Sequence, residues 1–153
     1  MLTWKKVVCP VDLSEVSMGA LKVASDVASQ CGAALVIVNV VEPIVAPSDF
    51  TFGPMTTGEV EDRLVERSTQ ALKELAATLR LPAGSVAFRV ERGRASSEIV
   101  RVAQEEKADV IVIGTHGYTG MAHVLLGSTA ERVIRKAPCP VLTVRAADLD
   151  STK

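Results

Sequence analysis

Asp109-Val110-Ile111-Val112-Ile113-Gly114-Thr115-His116-Gly117 is the stretch that organises this sequence. Val110 to Ile113 are all branched aliphatics with no polar face. A strand made of them is covered on both sides, as in a parallel sheet. The run stops at Gly114 and Gly117, where backbone can approach a partner closely and adopt positive φ. Further on, Gly127-Ser128-Thr129 opens a helical pattern that continues through Ala130, Val133, Ile134 and Ala137. A helix start exposes amides and the positive end of the dipole, which suits an anion.

Working outward, the same alternation of buried strand and helix recurs. Lys6 to Val11 and Ala34 to Val41 are apolar runs. Pro140 to Val144 is another, and Ser85 to Glu91 alternates Val86, Phe88 and Val90, the period of an edge strand. Between them lie helical spacings. Ser14-Glu15 begins one that carries Ala20, Val23, Ala24, Val27, Ala28 and Cys31 and stops at Gly32. A second carries Leu64, Ser68, Ala71, Leu72, Leu75 and Leu79, and a third runs from about Ser96 to Lys107. Glu42 to Gly58, rich in Pro and Gly, reads as a long loop of the kind often used as a flap. The order β-α-β-α-β-α-β-α-β predicts an α/β fold. It is a three-layer α/β/α sandwich with a five-stranded parallel sheet, order 3-2-1-4-5. Residues 1–147 are expected to form a single domain, with 148–153 a frayed tail. Strands one and four would be central neighbours, and the order reverses between them. A ligand belongs at that switch point, outside the carboxyl ends of the strands.

The chain has 153 residues, 48% of them hydrophobic but only 3% aromatic. The core is therefore aliphatic, and base-stacking nucleic-acid modules are disfavoured. Net charge is -1, so no basic field holds a polyanion. Neither nucleic acid nor membrane is expected as a partner, since no run reaches the about 20 apolar residues of a span. No secretory signal is seen, and a cytoplasmic location is expected. The three cysteines, Cys9, Cys31 and Cys139, fit neither a disulfide framework nor zinc-ligand spacing.

Two strand ends carry the chemistry. After strand one, Pro10-Val11-Asp12-Leu13-Ser14 places an acid where strand becomes loop. Asp12 reads either as a turn and capping residue or as a carboxylate facing ribose or a divalent cation. After strand four come the two glycine loops described above. Together they can hold a phosphate chain without a basic cluster. His116 and His123 lack a third ligand type, so His116 reads as a loop residue that bonds ligand or backbone. There is no Walker-type loop, no dinucleotide fingerprint and no nucleophile elbow. The acid cluster, acceptor Asp and Lys of a response regulator are missing.

Gly114-x2-Gly117-x9-Gly127-Ser128 resembles the nucleotide-binding signature of the universal stress protein family, in its ATP-binding branch. The resemblance runs from Lys5 to about Arg145. It includes the start Pro10-Val11-Asp12-Leu13-Ser14 and the closing Leu125-Leu126-Gly127-Ser128 and Pro138-Cys139-Pro140-Val141. It implies a domain that binds ATP with Mg2+ (or Mn2+) and pairs as a homodimer through its last strand. It also implies an unidentified protein partner in stress physiology. By motif match, Asp12 would face ribose or metal. Val11, Val40 and Ile113 would flank the adenine, Pro10 would belong to the same nucleotide site, and Gly114, His116 and Gly117 would line the ribose-phosphate loop. Gly127, Ser128 and Thr129 would hold the phosphates. The chain departs from the family at Tyr118 and His123, where a basic residue is common, and at Arg94, where proline is frequent. With so few fixed positive charges, a metal gains importance. Phosphoryl transfer needs a positioned base and strong charge stabilisation. A nucleotide-dependent regulator is therefore expected, with a slow ATPase or autophosphorylating enzyme as the alternative.

Overall fold

Strand β1 (Lys6–Pro10) lies at the middle of the sheet, and its residues show why the fold is layered. Val7 and Cys9 face one side and Val8 the other, and all three are fully buried. β2 (Ala34–Val41) and β4 (Val110–Gly114) repeat the alternation: Leu35, Ile37, Val110 and Val112 on the first side, Val36, Val38, Ile111 and Ile113 on the second. The computed structural model describes residues 3–45, 53, 55–116 and 126–145. β3 (Val86–Arg92) and β5 (Val141–Val144) complete a five-stranded, all-parallel sheet of order β3-β2-β1-β4-β5. This is the order expected from the sequence.

Helices α1 (Glu15–Cys31) and α2 (Thr57–Thr78) cover the first face through Ala20, Leu21, Ala24 and Leu72. Helices α3 (Ala95–Glu105) and α4 (Ser128–Lys136) cover the second through Ile99, Val102, Ala130 and Val133. Each Val, Leu or Ile among them stabilises the fold by about 1.5–3 kcal/mol when fully buried. Of the five aromatics, Trp4 and Phe88 pack against the first core from its margin, while Phe50, Phe52 and Tyr118 lie outside the described residues.

The helix starts are encoded locally. Ser14 caps α1, its hydroxyl accepting from Ser17 N at 3.2 Å. α2 begins at Thr57, one residue before the expected loop boundary at Gly58, which lies inside its first turn. The reason is a capping box: Glu59 N donates to Thr56 Oγ1 at 3.2 Å, and Thr56 N donates to Glu59 Oε2 at 2.7 Å. That backbone donation holds the Glu59 carboxyl below its ordinary range. The centre of the expected 42–58 loop, residues 46–52 and 54, lies outside the described residues, as does the tail.

Edge strand β3 is finished with charge on its α3 side. Arg89 bonds Glu91 at 2.7 Å and Glu105 at 2.8 Å, and Arg101 bonds Glu91 at 2.7 Å and also Glu98. Charged groups on an edge discourage pairing with another chain. At the opposite edge, β5 carries Leu142, which is 38% exposed.

Candidate functional site

The chain leaves β1 toward α1 on one face and β4 toward α4 on the other. The carboxyl ends of these neighbouring strands therefore part, and a cavity of about 320 Å³ opens there. That volume is at the lower end of the range of small-molecule sites. Ten of the eleven residues expected at the site line it. Pro10, Val11 and Asp12 come from the end of β1, and Val40 from the end of β2. Ile113 and Gly114 end β4, His116 follows it, and Gly127, Ser128 and Thr129 open α4. Gly117 lies outside the described residues, as do Tyr118 and His123.

The β1 end is a self-bonded turn. Asp12 Oδ1 accepts from Ser14 N at 3.0 Å and from the Ser14 hydroxyl, while Asp12 N donates to Ser17 Oγ at 3.3 Å. Asp12 thus shapes the turn, as one of its two sequence readings has it, and also lines the cavity. Leu13, the next residue, has φ 66°, a left-handed conformation unusual for a branched side chain.

On the β4 side, Thr115 ties three elements together. Its N–H donates to Val144 O at 2.9 Å, and its carbonyl accepts from Gly127 N at 2.5 Å. Its hydroxyl lies 2.9 Å from His116 Nδ1. Gly127 is a glycine for a reason the sequence did not disclose. A Cβ there would stand 2.7 Å from the Thr115 carbonyl oxygen. A Cβ at Gly114 would stand 2.9 Å from Val16 Cγ1 and 3.3 Å from Val16 O. Both glycines close protein against protein. The Gly127 amide, expected to be open to a phosphate, is spent on Thr115. What α4 offers is its first turn: no side chain caps it, and Glu131 N makes the return bond to Gly127 O at 3.0 Å. The amides and hydroxyls of Ser128 and Thr129 precede that bond. Arg135 and Lys136 sit at the far end of α4, where they favour the dipole.

The lining also holds residues not picked out in advance: Ser17, Val38, Asn39, Thr115, Ala130, and Ala95 and Ile99 of α3. Asn39 was findable as the one polar residue inside the apolar run Leu35 to Val41. Its Nδ2 donates to Val11 O at 2.8 Å. At the α3 start, Ala95 N donates to Glu42 Oε1 at 2.9 Å. Arg94 is exposed and does not line the cavity. No Lys or Arg does so among the described residues, and Asp12 is the sole carboxylate. No cluster of three or more His, Cys, Asp or Glu that could hold a metal is found among them. The buried Cys9, one residue from the cavity, has its thiol pushed well up by desolvation. No helix among the described residues is long and apolar enough to cross a membrane.

An all-parallel doubly wound sheet with a cavity at its switch point, floored by aliphatic strand ends and closed by a helix start, defines a class of open-sheet α/β proteins. Within that class the chain belongs to the universal stress protein family, whose sequence model matches residues 3–145. It is 37% identical over 142 residues to universal stress protein MJ0531 of Methanocaldococcus jannaschii, covering 93% of this chain and 82% of that one. Its fold matches universal stress protein UspA from Lactobacillus plantarum with a TM-score of 0.83 at 24% identity, over 95% of this chain and 100% of that one. A universal stress protein solved in complex with cAMP matches with a TM-score of 0.61 at 24% identity, over 94% and 98% of the two chains.

Proposed function

We propose that the cavity binds ATP or a related adenine nucleotide, and that the protein acts as a nucleotide-dependent regulator rather than an enzyme. One observation supports this reading: ten of the residues that the family resemblance assigns to base, ribose and phosphate line a single cavity. Val11, Val40 and Ile113 offer aliphatic walls for a base, Asp12 a carboxylate near the ribose position, and the first turn of α4 amides and hydroxyls for phosphate. Asp12, Ser128 and Thr129 are oxygen donors, the kind that suits Mg2+ carried in with a phosphate chain. They are too few to form a metal centre alone. The bound metal would supply the positive charge that the described part of the lining lacks.

Regulation is favoured over hydrolysis by the same lining. Its carboxylate already accepts two bonds from Ser14, and among the described residues no Lys or Arg lines the cavity to stabilise a phosphoryl transition state. Pairing of two copies along β5 would cover its open edge and the exposed Leu142.

The test is calorimetric titration with ATP, ADP and cAMP, with and without Mg2+, alongside chromatography of nucleotide after hours of incubation. The expected result is saturable ATP binding that strengthens with Mg2+, with ATP recovered intact. No binding of any of the three would refute the reading. Release of phosphate would refute its regulatory half and favour the slow ATPase. Tighter binding of cAMP would make the cyclic nucleotide the ligand.

A further inference from the structure

In β2 the even-numbered residues bond toward β1. Ala34 N donates to Lys5 O at 2.9 Å, and Val38 O accepts from Val11 N at 2.7 Å. The odd-numbered residues bond toward β3. Leu35 N donates to Ser85 O at 2.7 Å, and Val41 O accepts from Gly93 N at 3.1 Å. By this alternation Val40 turns its N–H and C=O toward β1, where Val11 O and Leu13 N are the next positions of the ladder. That step is not made. Val11 O accepts from Asn39 Nδ2 instead, at 2.8 Å, and the chain turns away at Leu13, whose φ is 66°. Among the described residues, neither Val40 group has a hydrogen bond to the β1 side. Val40 lines the cavity. The orientation of the Asn39 amide follows from chemistry, since a carbonyl only accepts and the NH2 must face it.

An unpaired peptide N–H beside a C=O at a cavity wall is a donor–acceptor edge that calls for a partner. We propose that Asn39 is a positioning residue for base recognition: by holding the Val11 carbonyl it keeps the Val40 N–H and C=O open to read the amine and adjacent ring nitrogen of adenine. The inference rests on the adenine-nucleotide reading above. With the phosphates at α4 fixing the pose, a 6-oxo purine presents both groups with reversed polarity, so donor would meet donor and acceptor would meet acceptor.

The experiment is titration of wild type, Asn39→Leu and Asn39→His with ATP and with inosine triphosphate, which differ at that edge. Wild type is expected to prefer ATP by about tenfold or more, the size expected when two hydrogen bonds reverse. Asn39→Leu keeps the shape but has no donor, so Val11 O becomes free to draw the Val40 N–H into the ladder. The preference should fall toward one. Asn39→His places a ring N–H the same number of bonds from the backbone and should restore it. No preference in wild type, a preference kept in Asn39→Leu, or equal weakening of both nucleotides would each overturn the proposal. In the last case Asn39 would be only structural. Should Asn39→Leu not fold, amide exchange in the wild type decides. The Val40 amide should exchange faster than that of Val38 and be protected by ATP but not by inosine triphosphate. Protection of Val40 in the free protein would overturn the proposal. Failure of wild type to bind any nucleotide would instead remove the adenine reading, and this inference with it.

Discussion

The two ends of the cavity are built by opposite means. At the strand end, Val11, Val38 and Ile113 belong to the core and are no more than 5% exposed. That end takes its form from side chains packed against others. At the helix end, Gly114 and Gly127 shape the site by lacking side chains, which lets β4 close on α1 and the α4 start close on Thr115. Filling space fixes one wall, and leaving space fixes the other. The first is tolerant of aliphatic exchange if volume is kept. The second is intolerant of a single added carbon.

Substitutions at the helix end should therefore cost more than their size suggests. The largest effect is expected for Gly127→Val, whose Cβ meets backbone that cannot swing aside. We expect a loss of about 3 kcal/mol, a fall of roughly 10 °C in Tm for a chain of this size, and loss of nucleotide binding. A melting curve superimposable on wild type would break the comparison. Gly114→Ala should cost less, about 1–2 kcal/mol by denaturant titration, because its nearest neighbour is a Val16 methyl that can shift. Ser128→Ala touches no packing. It should leave the melting temperature of the free protein unchanged and weaken ATP about tenfold, as for one hydrogen bond to a charged group. An unchanged affinity by calorimetry would mean that the α4 start does not hold the phosphates. The smallest effect probes the strand end. Thiol labelling of the native protein should modify exposed Cys31 readily and leave Cys9 unmodified, since burial encloses that thiol and raises its pKa. Labelling of Cys9 without unfolding would show that the strand end opens.

Much of this was legible in the sequence for a simple reason. Buried parallel strands are continuous apolar runs, so β1, β2 and β4 stand out, and Ser14 and Gly32 mark the ends of α1 without tertiary information. The sheet order and the location of the cavity then follow from topology. Other features depend on residues far apart in sequence. Gly127 and Gly114 read as glycines opened toward a ligand, but their neighbours are Thr115 and Val16, which only the folded chain brings within 3 Å of where a Cβ would stand. Asn39 was passed over because its partner, Val11, is distant in sequence. The early start of α2 is different: Thr56 and Glu59 carry a capping box in plain view, and the Pro- and Gly-rich composition around them hid it.

The seam between β1 and β4 has a consequence for the order of assembly. Val7 pairs with Val110 and Val8 with Ile111, contacts about a hundred residues apart in the chain, among the costliest in loop-closure entropy. β1, β2 and β3 can find one another once the chain has reached Arg92, before β4 is made. The cavity cannot exist until β4 arrives beside β1. A growing chain therefore acquires strands well before it acquires a binding site. Whatever occupies that site stabilises only molecules whose assembly has finished, by mass action. Ligand occupancy is thus a count of completed chains, and a ligand present during synthesis would act as a ratchet on the last step of folding.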